Sequence, residues 1–334
     1  MIGCVSLSTV KVDVLRPAVK SIPPEIKTLV VVDNSSAHPD SIPVQVNSLN
    51  DSNVQYLENF KDTISNMVIN SLVKELKKRK YFDDVYLGRS TLKDTSANSK
   101  RQRLTGEGIK EIKKKFNPDA ILILNDFDFS PILGLNEVSY DYYYYSQLLI
   151  GKADWQLYSF LGDTLMDNYT QRDSMRWNSY MDEVVYPVDG IPTIEESLQE
   201  LGNYMGFYYA DRIAPYWEPV NRYYYYYNSG LFKVGADLAN RKNWEEAEKV
   251  WFSIYRDDKK LNKARAAHNI ALAKEMQGDF QDASKWAYES LALYEKYGSY
   301  LKEEINREKS YYKEITRRYL DKKKLQEQFG EGYD

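Results

Sequence analysis

Between residues 28 and 129 the chain alternates two hydrophobic periods, and that alternation limits the folds open to it. The apolar runs in "KTLVVVDNSS" and "AILILNDFDF" suit central strands buried on both faces. Between them Phe60, Ile64, Met67, Val68, Leu72 and Leu76 recur at helical spacing, and the basic stretch "KELKKRK" closes that helix where cations complement its dipole. "FDDVYLG" reads as a strand. Ile109, Ile112 and Phe116 mark a second amphipathic helix, closed by Asn117-Pro118. Strand and helix taking turns with short connections predict an α/β layer rather than a sandwich. Upstream, Val10, Val12 and Val14 alternate with polar neighbours in "STVKVDVL", the period of a half-buried strand.

Downstream, "EVSYDYYYYSQLLIGKADWQLYSF" and "TLMDNYTQRDSM" read as two long strands joined through Leu161-Gly162-Asp163, an antiparallel hairpin appended to the α/β layer. In it Tyr142 and Tyr144 point to one face and Tyr143 and Tyr145 to the other. A helix over 193–214 packs through Leu198, Leu201, Met205, Tyr208 or Tyr209, and Ile213, with Gly202 and Gly206 allowing close approach to the sheet. Pro215 and Pro219 in "APYWEPV" mark the domain boundary.

Beyond it the pattern turns helical and repeats. "NWEEAEKVW" and "GDFQDASKWA" align on Ala247 and Ala283, a spacing near the period of about 34 residues of the tetratricopeptide repeat, which this region resembles. Leu231, Gly235, Leu238, Trp244, Ala247 and Trp251 fall at signature positions of one copy, and Ile270, Ala271, Gly278, Phe280, Ala283 and Ala287 at those of the next. Leu301, Ile305, Tyr312, Ile315 and Tyr319 draw a stripe on a final helix that caps one end. The run Tyr223 to Tyr227 serves as interdomain packing at the other, since each ring joins a large apolar area to a polar tip. The expected fold class is α+β: an N-terminal α/β domain with a mixed sheet and a long hairpin, then an all-α tetratricopeptide-like helical domain. The expected parts are a lipid tether and first strand over 1–15, the α/β domain over 16–219 and the helical domain over 220–334.

Composition narrows the function. A chain of 334 residues exceeds what one core usually supports. Its net charge of −4 gives no basic face for nucleic acid. One cysteine excludes an intrachain disulfide, and two histidines, His38 and His268, give no zinc spacing and little imidazole for hydrolysis, so no metal or cofactor is expected. No stretch approaches the roughly 18–20 apolar residues of a membrane span. "GEGIKE" lacks the preceding strand and third glycine of a phosphate loop.

"AILILNDFDFS" resembles the haloacid-dehalogenase phosphatase signature, which implies that of Asp126 and Asp128, at a strand's C-terminal edge, one is the nucleophile and the other the acid. No later Lys and Asp-Asp motifs follow in order, so this stays a poor alternative. By the repeat resemblance, a partner-binding groove is lined by Phe232 and Asn240 from one copy and Arg265, His268, Leu272, Glu275 and Met276 from the next, the mixture of peptide grooves. Exposed tyrosines, Tyr143, Tyr145 or the run at 223–227, make a glycan-binding module the alternative.

"IGC" at the start resembles the end of a bacterial lipobox, with Ile2 and Gly3 before Cys4. The resemblance implies acylation of Cys4, an export segment encoded upstream, a short tether "VSLSTVK" and a periplasm-facing outer-membrane address. Lipobox, α/β part, "YADRIAPYWEPVNRYYYYY" and repeats together resemble uncharacterised bacterial envelope lipoproteins with tetratricopeptide repeats. The α/β part is distantly similar to lipoproteins of the curli-secretion and penicillin-binding-protein-activator type. The function this implies is a non-enzymatic, membrane-tethered adaptor for an envelope protein or peptide.

Overall fold

The computed structural model describes residues 6–35, 41–48, 52–58, 63–88, 106–183, 188–258 and 260–330. They divide into two compact units, one formed by Ala18–Pro215 and one by the flanking segments up to Pro17 and from Tyr216 onward. In chain order the elements are β1 (Ser6–Arg16), β2 (Thr28–Asp33), β3 (Ile42–Ser48), β4 (Ser52–Leu57), α1 (Ile64–Arg79), β5 (Asp84–Gly88), α2 (Gly106–Phe116), β6 (Ala120–Ser139), β7 (Tyr142–Ser159), β8 (Thr164–Met181) and α3 (Ile194–Ile213). Then come β9 (Tyr216–Tyr226), α4 (Gly230–Asn240), α5 (Trp244–Asp257), α6 (Leu261–Met276), α7 (Phe280–Tyr297) and α8 (Lys302–Phe329).

In the sheet unit β6 is the spine. Its first residues run parallel beside β2, residues 132–135 run parallel beside β3, and its other edge pairs antiparallel with β7. β5 flanks β2, β4 flanks β3 and β8 flanks β7, giving the expected mixed sheet with its long hairpin. The continuous apolar run of β2 is explained by burial on both faces: Leu29 and Val31 join Val68, Leu72, Leu201 and Met205 from α1 and α3, while Val30 and Val32 join Ile112 of α2. Each such side chain contributes roughly 1.5–3 kcal/mol on burial.

Thr193 starts α3 with a capping box. Its hydroxyl accepts the Glu196 N–H at 3.2 Å, and the Glu196 carboxylate accepts the Thr193 N–H at 2.8 Å. Gly206 does allow close approach, but to α1 rather than to the sheet, because a Cβ there would collide with the backbone of Val68. Contact with the sheet is made from the other side, at Gly151 of β7, where a Cβ would meet Leu201 at 3.1 Å and the sulfur of Met205.

In the helical unit α4–α5 and α6–α7 form two successive helical hairpins, as the repeat pattern predicts. The small residues Ala247, Ala271 and Ala283 are fully buried, and Gly235 faces the Trp251 indole. The long α8 closes the second hairpin with Tyr311 and Ile315 against Ala271, Ala283 and Ala287.

Two segments differ from expectation. β1 begins at Ser6, so most of "VSLSTVK" is strand rather than tether, and β1 pairs with β9 instead of joining the α/β sheet. The run at 223–227 is not interdomain packing: residues 223–226 are β9 itself, and Tyr224 and Tyr225 lie in the helical core. The physical reason is shared. A two-stranded ribbon is marginal alone, and here it gains a hydrophobic face by lying on helices. The divisions expected near 15 and 219 therefore fall at 17 and 215.

Candidate functional site

The groove expected on α4 and α6 is built, and the chain's own ribbon fills it. β9 runs against α6, where Asn269 takes the place of a neighbouring strand. Its Oδ1 accepts the Tyr225 N–H at 2.8 Å and its Nδ2 donates to the Tyr225 carbonyl at 2.7 Å. Of the expected groove residues, Phe232 is buried against the ring of Tyr227, Asn240 accepts the Tyr224 hydroxyl at 2.7 Å, and Arg265 donates to the Tyr227 hydroxyl at 2.6 Å. Leu272 is fully buried and Met276 packs against the same core. These residues do gather on one surface, but the ribbon occupies it.

His268 and Glu275 are corrected furthest. His268 is not a surface residue: it lies in the groove beneath the ribbon, fully buried and stacked on Tyr223. Its Nδ1 lies 2.8 Å from Glu308 and its Nε2 2.9 Å from the Tyr223 carbonyl, so both ring nitrogens have partners. Glu308, on α8, also accepts from Tyr225 at 2.8 Å, Ser290 at 2.9 Å and Tyr223 at 3.3 Å. Burial by itself pushes the Glu308 carboxyl up, but the facing His268 and these hydrogen bonds outweigh it and hold the group below its ordinary value of 4.5. Burial and the Glu308 charge push the Tyr223 and Tyr225 hydroxyls far up.

Beside this cluster, Glu275 accepts from Arg222 at 3.0 Å, from Arg318 at 2.6 Å and from the Tyr311 hydroxyl at 3.0 Å. Arg16 of β1 donates to Glu218 at 2.6 Å, to Asp321 at 3.2 Å and to Glu314. Arg16, Arg222 and Arg318 each meet carboxylates here, so this is a polar seam that seats the ribbon. The sequence reading missed Asn269, Glu308 and Tyr311; the available signal was the high β-propensity of the tyrosine run in "NRYYYYY", which marks a strand where a helical domain was expected to begin.

Asp126 and Asp128 do not end their strand: β6 continues to Ser139. They lie on a solvent-facing ladder, Asp126 opposite Asp154 and then Thr170, and Asp128 opposite Lys152 and then Arg172. A strand-edge site for phosphoryl chemistry is therefore not formed there. Among the described residues no group of three or more His, Cys, Asp and Glu is placed to hold a metal ion. Cys4 and His38 lie outside the described residues.

The end of the sheet formed by β6, β7 and β8 has a different character. Ser139 pairs with Tyr142 across a two-residue turn, Tyr140-Asp141, in which Asp141 takes φ 53°; Tyr144 pairs with Tyr180 of β8. Tyr140 is 90% exposed and Tyr180 57% exposed. The Tyr142 and Tyr180 rings stack 5.6 Å apart at 7°, and Tyr144 leans on Tyr180 at 5.1 Å. Tyr140 and Tyr142, together with Ser139, Asp141, Tyr143, Asp182 and Glu183, border an open depression of about 800 Å³; Tyr180 reaches it only through its stack on Tyr142. Of the tyrosines proposed to meet a glycan, Tyr145 is buried and holds Gln147, leaving Tyr143 half-buried at this rim. The sequence reading passed over Tyr140 and Tyr180, whose signal is tyrosine beside acid on both sides of the sheet end, in "YDYYYY" and "YMDE".

The fold and its surfaces define a two-unit protein, a mixed α/β sheet unit and a unit of helical hairpins carrying a β-ribbon. By its matching family model over residues 26–225, the chain belongs to the family described as Domain of unknown function (DUF8603). Residues 233–322 match a second model, Domain of unknown function (DUF6340). No curated protein matches the chain. Similar solved structures include the PelC dodecamer from Paraburkholderia phytofirmans, 7% identical with a TM-score of 0.27 over 62% of this chain and 99% of that one. A DUF330 protein from Xanthomonas campestris is 10% identical with a TM-score of 0.27, over 58% of this chain and 91% of its own. A putative neuraminyllactose-binding hemagglutinin homolog from Helicobacter pylori is 12% identical with a TM-score of 0.28, over 56% of this chain and 81% of its own. No helix among the described residues is long and apolar enough to cross a membrane.

Proposed function

We propose that this protein is a non-catalytic binding module of the bacterial cell envelope, tethered through an acylated Cys4 and facing the periplasm, that holds an envelope protein at the tyrosine-rich end of β6, β7 and β8. The observation that carries the reading is a contrast between two surfaces. The repeat groove is filled by the protein's own ribbon, whereas the sheet end leaves Tyr140 in solvent at the rim of an open depression, with exposed Tyr180 stacked on Tyr142 of the same rim. Exposed aromatic clusters of this kind serve as contact surfaces because each ring offers area at little cost in conformational entropy. The lipobox-like Ile2-Gly3-Cys4 supports the tether.

The test is in-cell photo-crosslinking with a benzophenone amino acid at Tyr140 or Tyr180, against the same label at exposed Tyr288 and Tyr300 of the helical unit. A discrete adduct from the sheet-end positions is expected. An adduct from Tyr288 or Tyr300 alone overturns the reading. Labelling with a clickable fatty acid, lost in Cys4→Ala, tests the tether separately.

A further inference from the structure

We infer that the sheet end selects a cationic partner, a protein segment carrying lysine or arginine side chains. This rests on the proposed function above and names the chemistry of the same site. Two independent features converge there. The first is aromatic: the stacked Tyr142 and Tyr180 present ring faces, with Tyr144 and Tyr140 beside them. Ring faces carry the negative part of the aromatic quadrupole and attract ammonium and guanidinium groups.

The second is charge. Asp141, Asp182 and Glu183, all exposed, line the depression. From Phe129 to Gly151 and from Trp177 to Glu183 the sequence contains no lysine or arginine. The nearest cation on β8, Arg176, pairs with Leu148, several residues down the strands from the turn. The carboxylates at this end therefore lack cross-strand cations of the kind that match Asp128 on the same sheet, where Lys152 and Arg172 complete the ladder.

A neutral glycan would use the rings and leave the carboxylates without partners. An acidic partner would meet like charge at Asp141, Asp182 and Glu183. A lysine- or arginine-bearing segment uses both features at once, each cation lying over a ring face with its N–H groups on a neighbouring carboxylate. The site is open and several groups wide, so it suits an extended segment with cations at intervals better than a single small cation.

The experiment uses the full chain and a fluorescent peptide of alternating arginine and glycine, followed by anisotropy, with an alternating glutamate and glycine peptide as the counter-probe. The arginine peptide is expected to bind and the glutamate peptide not. Raising the salt weakens binding, since the contacts are solvent-exposed. The pair Tyr140→Ser with Tyr180→Ser and the pair Asp182→Asn with Glu183→Gln each loosen it about tenfold. Tyr288→Ser, on an exposed position of α7, leaves it unchanged. Equal binding of both peptides, or affinity indifferent to both pairs of substitutions, overturns the inference. A neutral oligosaccharide that binds instead, and is lost in the tyrosine pair but not in the carboxylate pair, also overturns it. If the arginine peptide fails while cross-links from Tyr140 persist, the cationic partner is wrong and the binding site stands; loss of both removes the site.

Discussion

Glu308→Gln is the substitution that most directly probes what holds the ribbon in its groove. It keeps the shape of a fully buried side chain but turns an ionised acceptor facing four donors into an amide with one acceptor and two donors of its own. At least two of the surrounding donors then face an N–H₂ group. Each orphaned buried donor costs about 1–3 kcal/mol, and removing one member of a buried charge pair costs about 3–5 kcal/mol in all. For a unit of this size that corresponds to a melting temperature lower by on the order of 10–20 °C. The measurement is urea and thermal denaturation followed by far-UV circular dichroism and tryptophan fluorescence together, because two units can unfold in two transitions. The helical-unit transition is expected to move and the other to stay. Replacing both members with leucine, Glu308→Leu with His268→Leu, is expected to recover much of the loss, since apolar replacement of a whole buried pair is often near neutral. A Glu308→Gln loss under about 1 kcal/mol would refute the claim that this carboxylate seats the ribbon.

Three further outcomes follow from the same geometry. The pH dependence has a definite sign: Glu308 is held below its ordinary 4.5, and Glu314 is also lowered, burial opposing and Arg16 outweighing it. Their stabilisation is therefore fully present above pH 4.5 and is lost as pH falls through the folded values, with Glu308→Gln flattening the acid limb of a stability-against-pH curve. Asn269→Ala leaves the Tyr225 amide and carbonyl without their partner; exchange of that amide is expected to accelerate at least tenfold, and an unchanged rate would show that the ribbon does not depend on this side chain. Gly206→Ala drives a methyl into the α1 backbone and should destabilise the sheet unit by about 1–3 kcal/mol, whereas Gly106→Ala, exposed with nothing near its Cβ, stays within about 1 kcal/mol, both read from denaturant midpoints.

The parts of the fold that were legible were those with one strong period. β2, the first half of β6, α1, α2 and the β7–β8 hairpin each carry a pattern that tertiary context does not reverse, whereas β6 runs on to Ser139 and turns at Tyr140-Asp141, inside the stretch expected to be one strand from Glu137. β4 went unread because "SNVQYL" is short and almost wholly exposed, so there is little burial to imprint a pattern, whereas "IPVQVNS" of β3 is short but does alternate, with Ile42 and Val44 buried. The ribbon was harder, for a physical reason. β1 and β9 are widely separated in sequence, and neither says which partner will cover it; a strand pairing at that separation is decided by long-range packing. The groove residues were found as a set because helical spacing puts Arg265, His268, Leu272, Glu275 and Met276 on one side of α6. Their role was misread because a groove filled by its own chain has the same composition as one awaiting a ligand. His268 shows the difference: on a helix face it reads as a contact residue, and only Glu308 and the Tyr223 carbonyl make it a buried pair.

The ribbon also explains how a chain can interrupt its helical unit with a whole α/β sheet. β1 ends and β9 begins as direct partners, Arg16 beside Tyr216, so the sheet unit leaves and re-enters the helical unit across one pair of opposed residues. Its own ends are tied together as well, by the Val19 N–H to the Asp211 carbonyl at 3.1 Å and the Lys20 N–H to the Arg212 carbonyl at 2.7 Å. An insertion with adjacent ends imposes no separation on the strands it interrupts, which is where insertions are tolerated. Two opposed antiparallel residues are also the geometry a two-residue hairpin turn closes. Replacing residues 17–215 by Asn-Gly therefore gives a chain in which Arg16 and Tyr216 remain paired, with Arg16 still reaching Glu218, Glu314 and Asp321. That shortened chain is expected to show helical circular dichroism, a cooperative unfolding transition and the same sensitivity to Glu308→Gln as the full chain. A shortened chain that is unfolded, or one that folds but ignores Glu308→Gln, would show that the ribbon's place in the groove depends on the sheet unit and not on the polar seam beneath it.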